Sequence, residues 1–455
     1  MTTHTIAVPA AAAPSAAPST HRLLRPGWPL SVLYLGFPLW WATGLSHVVF
    51  LVLAVPMAVE LVRRTRRVTP PRFGILLLFL GWMAAGVTVL WAKAPGTVAD
   101  DSIMKIVPFA YRAGWYVAIT VVLLYVLNMR EDELPSQRIV SLLGFMFIVT
   151  TVGGMLGVVL PNLEFPSLLE VLLPGGVAND RFVNSLIHPA LAASSDFLGY
   201  QQPRPIAPFA FANAWGNNLA LFLPFFVYGW LGPASTRLRR WVALFVIPAA
   251  AVPVVYSLNR GVWLGIGVAA AYGCIRLALA GRSRPLIALV LGVVVAAGTV
   301  AMTPLGATIE QRLATPHSNE RRESVADTVM STTWAGSPVL GYGSTRELAG
   351  NFTSIAGAST PDCAQCGAPP LGTQGFLWRL IFTTGFVGAA LFAAFLLAQL
   401  WRHISISGPY ALLGTTLLLM SGVFFLVYDS LESPLFTLMI GIGLMNRERL
   451  AARAT

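Results

Sequence analysis

Lysine is almost absent from this chain of 455 residues, in which only Lys93 and Lys105 occur and arginine supplies the other basic charges. Charged residues of all kinds make up only 11% of the sequence, whereas 56% is hydrophobic. A soluble globular domain carries about 25% charged residues, so this composition excludes that class. The sequence also lacks a cluster of histidine, cysteine and carboxylate residues with the spacing of metal ligands, which argues against a metal centre.

Long apolar runs are what the sequence has instead. Runs near 20 residues recur along the whole length, and about 20 apolar residues are needed to cross a bilayer as a helix. The pattern predicts an all-α polytopic membrane protein with about twelve transmembrane helices and a large, partly helical extracytoplasmic loop. The predicted helices cover residues 29–43, 45–62, 73–91, 108–128, 139–160, 207–231, 241–256, 261–280, 286–303, 375–400, 409–428 and 433–446.

The basic residues predict the orientation of these helices. With the N-terminus in the cytoplasm, 18 arginines and lysines fall in inner segments and 9 in the longer outer segments, as the positive-inside rule requires. This distribution explains the net charge of +11 without a nucleic-acid partner. The predicted regions are a disordered cytoplasmic tail at 1–28, helices one to nine at 29–303, an extracytoplasmic loop at 304–374, helices ten to twelve at 375–446 and a cytoplasmic tail at 447–455.

Arg260 lies where two predicted helices meet at the outer surface with almost no loop between them. An arginine at the rim of a bilayer either snorkels to the interface or grips an anionic head group, because its planar donors suit phosphate oxygens. In the long outer loop, Ser318 or Asn319 is placed to cap a helix that carries Arg321 and Arg322 near its start. The helix dipole favours anions there, although paired arginines in a loop are also common on solvated surfaces.

Other polar residues are weaker candidates for the functional site. Arg112 and Arg379 lie a turn or so inside the outer face, where they either add to an anion pocket or pair with an acid. Asn218 either hydrogen-bonds between helices or contacts a sugar. Cys363 and Cys366 fall in the outer loop, and we expect them to form a disulfide in an oxidising environment.

Four segments resemble the bacterial O-antigen ligase and polymerase superfamily. They match its Ser-x-x-Arg-Gly helix junction, its arginine-bearing loop helix with a following glycine turn, the start of the next helix, and an Arg-Pro segment that precedes paired asparagines. These segments are Ser257–Trp263, Asn319–Arg321 with Ser337–Gly343, Gly372–Gly388 and Arg204–Asn218. The resemblance covers roughly residues 200–390, and the order and spacing of the motifs carry it.

The resemblance implies an inverting, metal-independent glycan transferase without a cofactor. Such an enzyme moves a glycan from a polyprenyl-diphosphate carrier to a lipid, glycan or protein acceptor on the outer face of the bacterial cytoplasmic membrane. The matching positions imply that Arg260 and Arg321 hold the diphosphate, while Arg204 and Arg322 contribute to substrate binding. Since a diphosphate is already a good leaving group, the protein mainly has to stabilise its growing charge.

The sequence departs from the family at one functional position. Gln374 stands where the family has histidine, and glutamine cannot act as a general base. His317, four residues before Arg321, is the leading candidate for the group that deprotonates the acceptor. Asp429 and Glu432, between the last two predicted helices, are the alternatives.

Two further function classes remain open at this stage. A transporter or flippase for a glycolipid or another anion predicts inverted repeats and broken helices with ionisable groups at the midplane. A non-catalytic scaffold of an envelope machine would not need convergent arginines. The choice between a ligase and a polymerase does not follow from the residues.

Overall fold

The computed structural model describes residues 25–98, 101–195, 202–302, 306, 317–349 and 369–454, and within them the chain is mostly helical. Residues 1–24 of the tail predicted at 1–28 and the predicted Cys363–Cys366 disulfide lie outside these residues. The first half contains α1 (Trp28–Leu35), α2 (Phe37–Ala42), α3 (Val49–Val62), α4 (Phe73–Ala85), α5 (Ile106–Asn128), α6 (Ser136–Val159), α7 (Leu168–Leu172), α8 (Gly175–Ala178) and α9 (Arg181–Ile187).

The second half begins with a two-stranded antiparallel sheet, β1 (Ala192–Ser195) and β2 (Gln202–Pro205), in which Ala192 pairs with Pro205. It continues with α10 (Ala212–Phe226), α11 (Arg237–Tyr256), α12 (Arg260–Leu279), α13 (Ser283–Ala301), α14 (His317–Gly336), α15 (Phe376–His403), α16 (Pro409–Val427) and α17 (Ser433–Ala454). The helix predicted in the outer loop is therefore confirmed, but it begins at His317, so that Ser318 and Asn319 lie within it and do not precede it as caps.

Six helices within the described ranges are long and apolar enough to cross a membrane: α5 with the short 3₁₀ turn before it, α6, α11, α12, α15 and α16. Their surfaces agree with this assignment, since Phe245, Leu279 and Trp401 expose 73%, 80% and 86% of their area. Apolar side chains this exposed are normal only where lipid or a partner covers them. The chain is a multi-pass membrane protein.

Helices α10 and α17 form the centre of the bundle. α17 packs against α5 and α16, and α10 packs between α6 and α17. From Leu435 to Met445 nearly every large side chain of α17 is fully buried, because a helix that is apolar on all sides needs neighbours on all sides. At 15 residues α10 is shorter than a membrane span, and it continues as a π-helical segment, Val227–Leu231.

Helix α15 is interrupted at Gly385, where the backbone has φ 68° and ψ 179°. The Ser337–Gly343 segment fills this break. The N–H groups of Tyr342 and Gly343 donate to the carbonyls of Phe382 and Thr383 at 2.9 and 3.0 Å. The predicted glycine turn is therefore an insertion that satisfies carbonyls freed by the interrupted helix.

Candidate functional site

Arg204 braces the junction that precedes α12. Strand β2 carries this arginine, which is 7% exposed. Its Nε donates to the Ser257 carbonyl at 2.6 Å, and its Nη2 donates to Asn259 Oδ1 at 2.6 Å. Asn259 in turn donates from Nδ2 to the carbonyl of Ala212 at the start of α10. The Arg-Pro segment and the Ser-x-x-Arg-Gly junction, which lie 53 residues apart, thus form one hydrogen-bonded unit.

Arg260 is the first residue of α12 and is half-buried. The left-handed backbone of Leu258, with φ 55°, turns the chain sharply just before it. Gly261 then lies so close to α16 that an added Cβ would be 2.7 Å from the Tyr428 hydroxyl. The glycine after Arg260 is therefore required by packing, and it fixes the arginine beside the end of α16.

Tyr428 also contacts the start of α15. Its carbonyl accepts the N–H of Phe376 at 2.8 Å, and the Leu426 carbonyl accepts Nε1–H of Trp378 at 3.0 Å. Gln374, two residues before α15, is half-buried with φ 66°. The end of α16 therefore lies between the Arg260 junction and the segment that holds Gln374.

Asp429 follows Tyr428 and forms an ion pair with Arg379. The Nε of Arg379 also donates to the Gly372 carbonyl at 3.4 Å. Of the two sequence alternatives for Arg379, pairing with an acid is the one observed. Asp429 keeps 38% of its side chain exposed, so the pair lies at an accessible edge of the bundle.

Arg112, on α5, has one donor group without a partner. It is 8% exposed, its Nη2 donates to Ser344 Oγ at 2.8 Å, and its Nε donates to the Pro108 carbonyl at 3.1 Å. Its Nη1 is buried and makes no hydrogen bond to any described group. Arg379 and Arg346 are near enough for their charges to act on Arg112, as is Asp429. Arg112, Arg379 and Arg346 outnumber the two carboxylates of the cluster, Asp429 and Glu432. The excess positive charge around an unsatisfied donor is the environment that an anion neutralises.

Arg346 is engaged differently from Arg112. Its guanidinium donates to the carbonyls of Ser344, Thr345, Leu90 and Tyr342, at distances of 2.5 to 3.2 Å. These bonds tie the loop before residue 349 to the end of the α4 region. Arg346 therefore orders the loop that supplies Ser344 to Arg112.

Glu432 is the second carboxylate of the turn between α16 and α17. Tyr111 on α5 donates its hydroxyl to Glu432 Oε1 at 2.7 Å, and His47 Nε2 lies 3.3 Å from Oε2. Ser46 Oγ is 3.2 Å from Nδ1 of the same histidine. Glu432 is a candidate from the sequence, whereas Tyr111 and His47 are not, because both residues fall within predicted apolar helices.

A small cavity of about 30 Å³ adjoins these carboxylates. Asn218 lies at its wall, where its Oδ1 accepts a hydrogen bond from Ser433 Oγ at 2.7 Å. Asn218 therefore makes the interhelical bond that the sequence left as one alternative. The cavity is lined by Phe37, Ser46, His47, Phe50, Trp115, Phe209, Ala214, Asn218, Asp429, Glu432, Ser433 and Pro434.

The remaining predicted residues lie on α14. Its backbone is helical from His317 and packs against α15, but the side chains of His317, Arg321 and Arg322 lie outside the described part of the structure. Among described residues no group of three or more His, Cys, Asp and Glu is placed to hold a metal ion.

The structure thus joins three of the sequence motifs around the end of α16. Tyr428 contacts the Arg260 junction on one side and the start of α15 on the other. Arg204 holds the junction, and Arg379 pairs with Asp429 beside Tyr428. No protein-family model, curated protein or solved structure matches this chain.

Proposed function

We propose that this protein is an inverting, metal-independent glycan transferase that uses a polyprenyl-diphosphate donor. The observation that carries the proposal is the meeting of the Arg204, Arg260 and Arg379 segments at Tyr428. These segments are far apart in sequence, and helix packing alone does not require an arginine in each of them. A diphosphate that must be held while its charge grows is a chemical reason for such a cluster.

Arg112 and Arg260 are the residues that we assign to the donor diphosphate within the described part of the site. Arg112 has an unpartnered Nη1 and Arg260 begins α12 at the same end of the bundle. Arg379 lies in the same cluster, in an ion pair with Asp429. As the glycan leaves, the negative charge on the diphosphate increases, and fixed guanidinium groups stabilise it without a metal ion.

Arg321 and Arg322 complete the proposed site from the loop. They lie near the N-terminal end of α14, where the helix dipole also favours negative charge. Since α14 packs on α15, the loop is attached to the helix whose first turns carry Arg379. In the proposed enzyme the donor diphosphate is bound beneath this loop, between Arg321 and the Arg260 junction.

The proposed topology has about twelve spans, with both termini in the cytoplasm and the segments 161–206 and 304–374 outside. The basic residues support it through their 18-to-9 distribution between inner and outer segments. The reaction then takes place on the outer face of the bacterial cytoplasmic membrane, where the acceptor is a lipid, a glycan or a protein.

One observation favours the alternative of a glycolipid or anion transporter. The break in α15 at Gly385 is the kind of interruption on which transporter sites are built. The break is filled by Ser337–Gly343, which contains no acidic or basic residue, whereas the arginine cluster lies at the end of the bundle. We therefore rank transport second.

Purified protein in liposomes with a lipid-linked oligosaccharide tests the proposal. A transferase produces new glycosidic bonds and free polyprenyl diphosphate, whereas a transporter moves the donor across the bilayer unchanged. Arg260→Ala should lower transfer by a hundredfold or more, about 3–4 kcal/mol of transition-state stabilisation. The matched control is Arg282→Ala, since Arg282 is exposed beyond the other end of α12. Near-normal transfer by Arg260→Ala would show that the site is assigned wrongly.

A further inference from the structure

The two carboxylates of the turn between α16 and α17 have different partners. Asp429 is paired with a permanently charged group, Arg379. Glu432 accepts a hydrogen bond from the phenol of Tyr111, and its other oxygen lies 3.3 Å from the imidazole of His47. Burial raises the pKa of Asp429 in spite of Arg379, but a proton taken up by Asp429 would break its ion pair with that arginine. Glu432 is therefore the carboxylate of this turn that can accept a proton without breaking the pair with Arg379.

Glu432 is also both fixed and accessible. Its two oxygens are bound by different elements, Oε1 by α5 and Oε2 by the turn before α3, so that its orientation is set from two sides. It keeps 29% of its side chain exposed, against 12% for His47. A carboxylate oxygen has lone pairs left after one hydrogen bond, and those of Glu432 adjoin the cavity.

The cavity matches the size of a hydroxyl group. Its volume of about 30 Å³ holds about two water molecules, and it is too small for a sugar ring. Ser46, Asn218 and Ser433 contribute polar groups to its wall, and aromatic side chains enclose the opposite side. A hydroxyl that enters it lies beside Glu432 and near the arginine cluster.

We propose that Glu432 is the general base of the glycan transfer and that His47 positions it. This inference rests on the proposed function. The acceptor O–H bond breaks and its proton passes to a Glu432 oxygen, while the acceptor oxygen forms a bond to the anomeric carbon. The bond between that carbon and the phosphate oxygen breaks, and its electron pair leaves with the polyprenyl diphosphate.

Gln374 and His47, two other candidates among the described side chains, are excluded by chemistry or by contacts. The amide of Gln374 has no basic site. Both ring nitrogens of His47 are engaged, Nε2 with Glu432 and Nδ1 with Ser46. The charged and titratable groups around Glu432 are His47 from the turn before α3, Tyr111 from α5 and Asp429 from its own turn, with Arg379 behind Asp429.

The test uses the full-length protein in liposomes and measures donor affinity and transfer separately. Glu432→Gln keeps an oxygen for the Tyr111 hydrogen bond but cannot take a proton, and we expect kcat to fall about a hundredfold or more. Donor KM and the binding of polyprenyl diphosphate should stay within about threefold of the wild type, since no donor contact is removed. Glu432→Asp should restore part of kcat.

His47→Asn tests positioning, and Glu164→Gln is the control. His47→Asn should lower kcat and leave donor KM unchanged. A general destabilisation of the fold would not change kcat alone. Glu164 is 67% exposed on the outer segment, and its variant should behave as the wild type. Monodisperse elution and an unchanged unfolding midpoint confirm folding for each variant.

The outcomes separate the two proposals. If the wild type transfers glycan and Glu432→Gln transfers at a similar rate, Glu432 is not the base, and the proposed function stands. If Glu432→Gln loses donor binding along with transfer, the residue binds the donor and the inference is wrong. If the wild type binds the donor but transfers nothing, both the proposed function and the inference are overturned.

Discussion

Gly385 faces Val339 so closely that a Cβ added to the glycine would lie 2.2 Å from the Val339 carbonyl oxygen. Its φ of 68° is also in the left-handed region that favours glycine. The approach is reciprocal, because a Cβ on Gly341, also at φ 68°, would lie 2.5 Å from the Gly385 amide nitrogen. The loop and the interrupted helix can therefore approach this closely only because both positions are glycine.

Gly385→Ala should destabilise the protein by about 1–3 kcal/mol or more, because alanine is strained at this φ and its Cβ meets backbone that cannot move away. Thermal unfolding in detergent measures the effect. Gly422→Ala on α16 is the matched control: no atom lies within 4 Å of its Cβ, and alanine is favoured over glycine in a helix by about 1 kcal/mol. Equal midpoints for the two variants would contradict the close fit.

This fit illustrates what the sequence could and could not predict. Of the about twelve spans predicted from apolar length, six correspond to helices long and apolar enough to cross a membrane. The predicted spans at 261–280 and 409–428 end within a residue of α12 and α16. The glycines of Ser337–Gly343 predicted a turn, but not its partner. Periodicity does not report that a turn enters a broken helix, since the bonds join residues about 40 positions apart.

The candidate site also depends on contacts that the sequence does not predict. Arg204 and Arg260 were named from local motifs, yet only the folded chain shows that Arg204 binds the backbone at Ser257. His47 had no signal of its own, because its importance depends on Glu432, which lies hundreds of residues later. Contacts between distant helices are fixed by packing, and a single sequence does not contain their geometry.

The predicted topology leads to a labelling test. Ser344 is buried and bonded to Arg112, so the exposed Glu347 is the better outer probe, and the exposed Arg66 is the inner one. In a chain whose three cysteines are replaced by serine, Glu347→Cys should react with an impermeant maleimide in intact cells. Arg66→Cys should react only after permeabilisation. The reverse pattern would invert the orientation and remove the extracytoplasmic site.

The segment between α6 and β1 should lose stability in acid through Glu170. Burial raises the pKa of this carboxyl, but hydrogen bonds from His188, the Ser167 amide and Asn184 outweigh it, so that its pKa lies below its usual value. A carboxyl whose pKa is lowered by folding stabilises the protein above its unfolded-state pKa. That contribution is lost as the pH falls through the folded-state pKa.

Limited proteolysis of this segment, from about pH 7 to about pH 3, measures the loss. At neutral pH Glu170→Gln should be cleaved faster than the wild type, and the two rates should converge in acid. Asp132→Asn, which changes a carboxylate that is 71% exposed and lies outside this segment, should follow the wild type throughout. A difference between Glu170→Gln and the wild type that persists in acid would mean that charge is not the cause.

Arg112 gives the sharpest test of the anion site, because its two terminal nitrogens, Nη1 and Nη2, differ in their contacts. Nη2 bonds to Ser344 Oγ, whereas Nη1 is buried without a described partner. If Arg112 only braces the loop, Arg112→Gln and Ser344→Ala remove the same bond and should have the same effect. If Arg112 binds the diphosphate, only Arg112→Gln weakens the donor. A lost hydrogen bond to a charged group costs about 1.5–3 kcal/mol, which is about a ten- to hundredfold rise in Kd. Direct binding of polyprenyl diphosphate to the two variants decides between these cases, and equal affinities would remove Arg112 from the site.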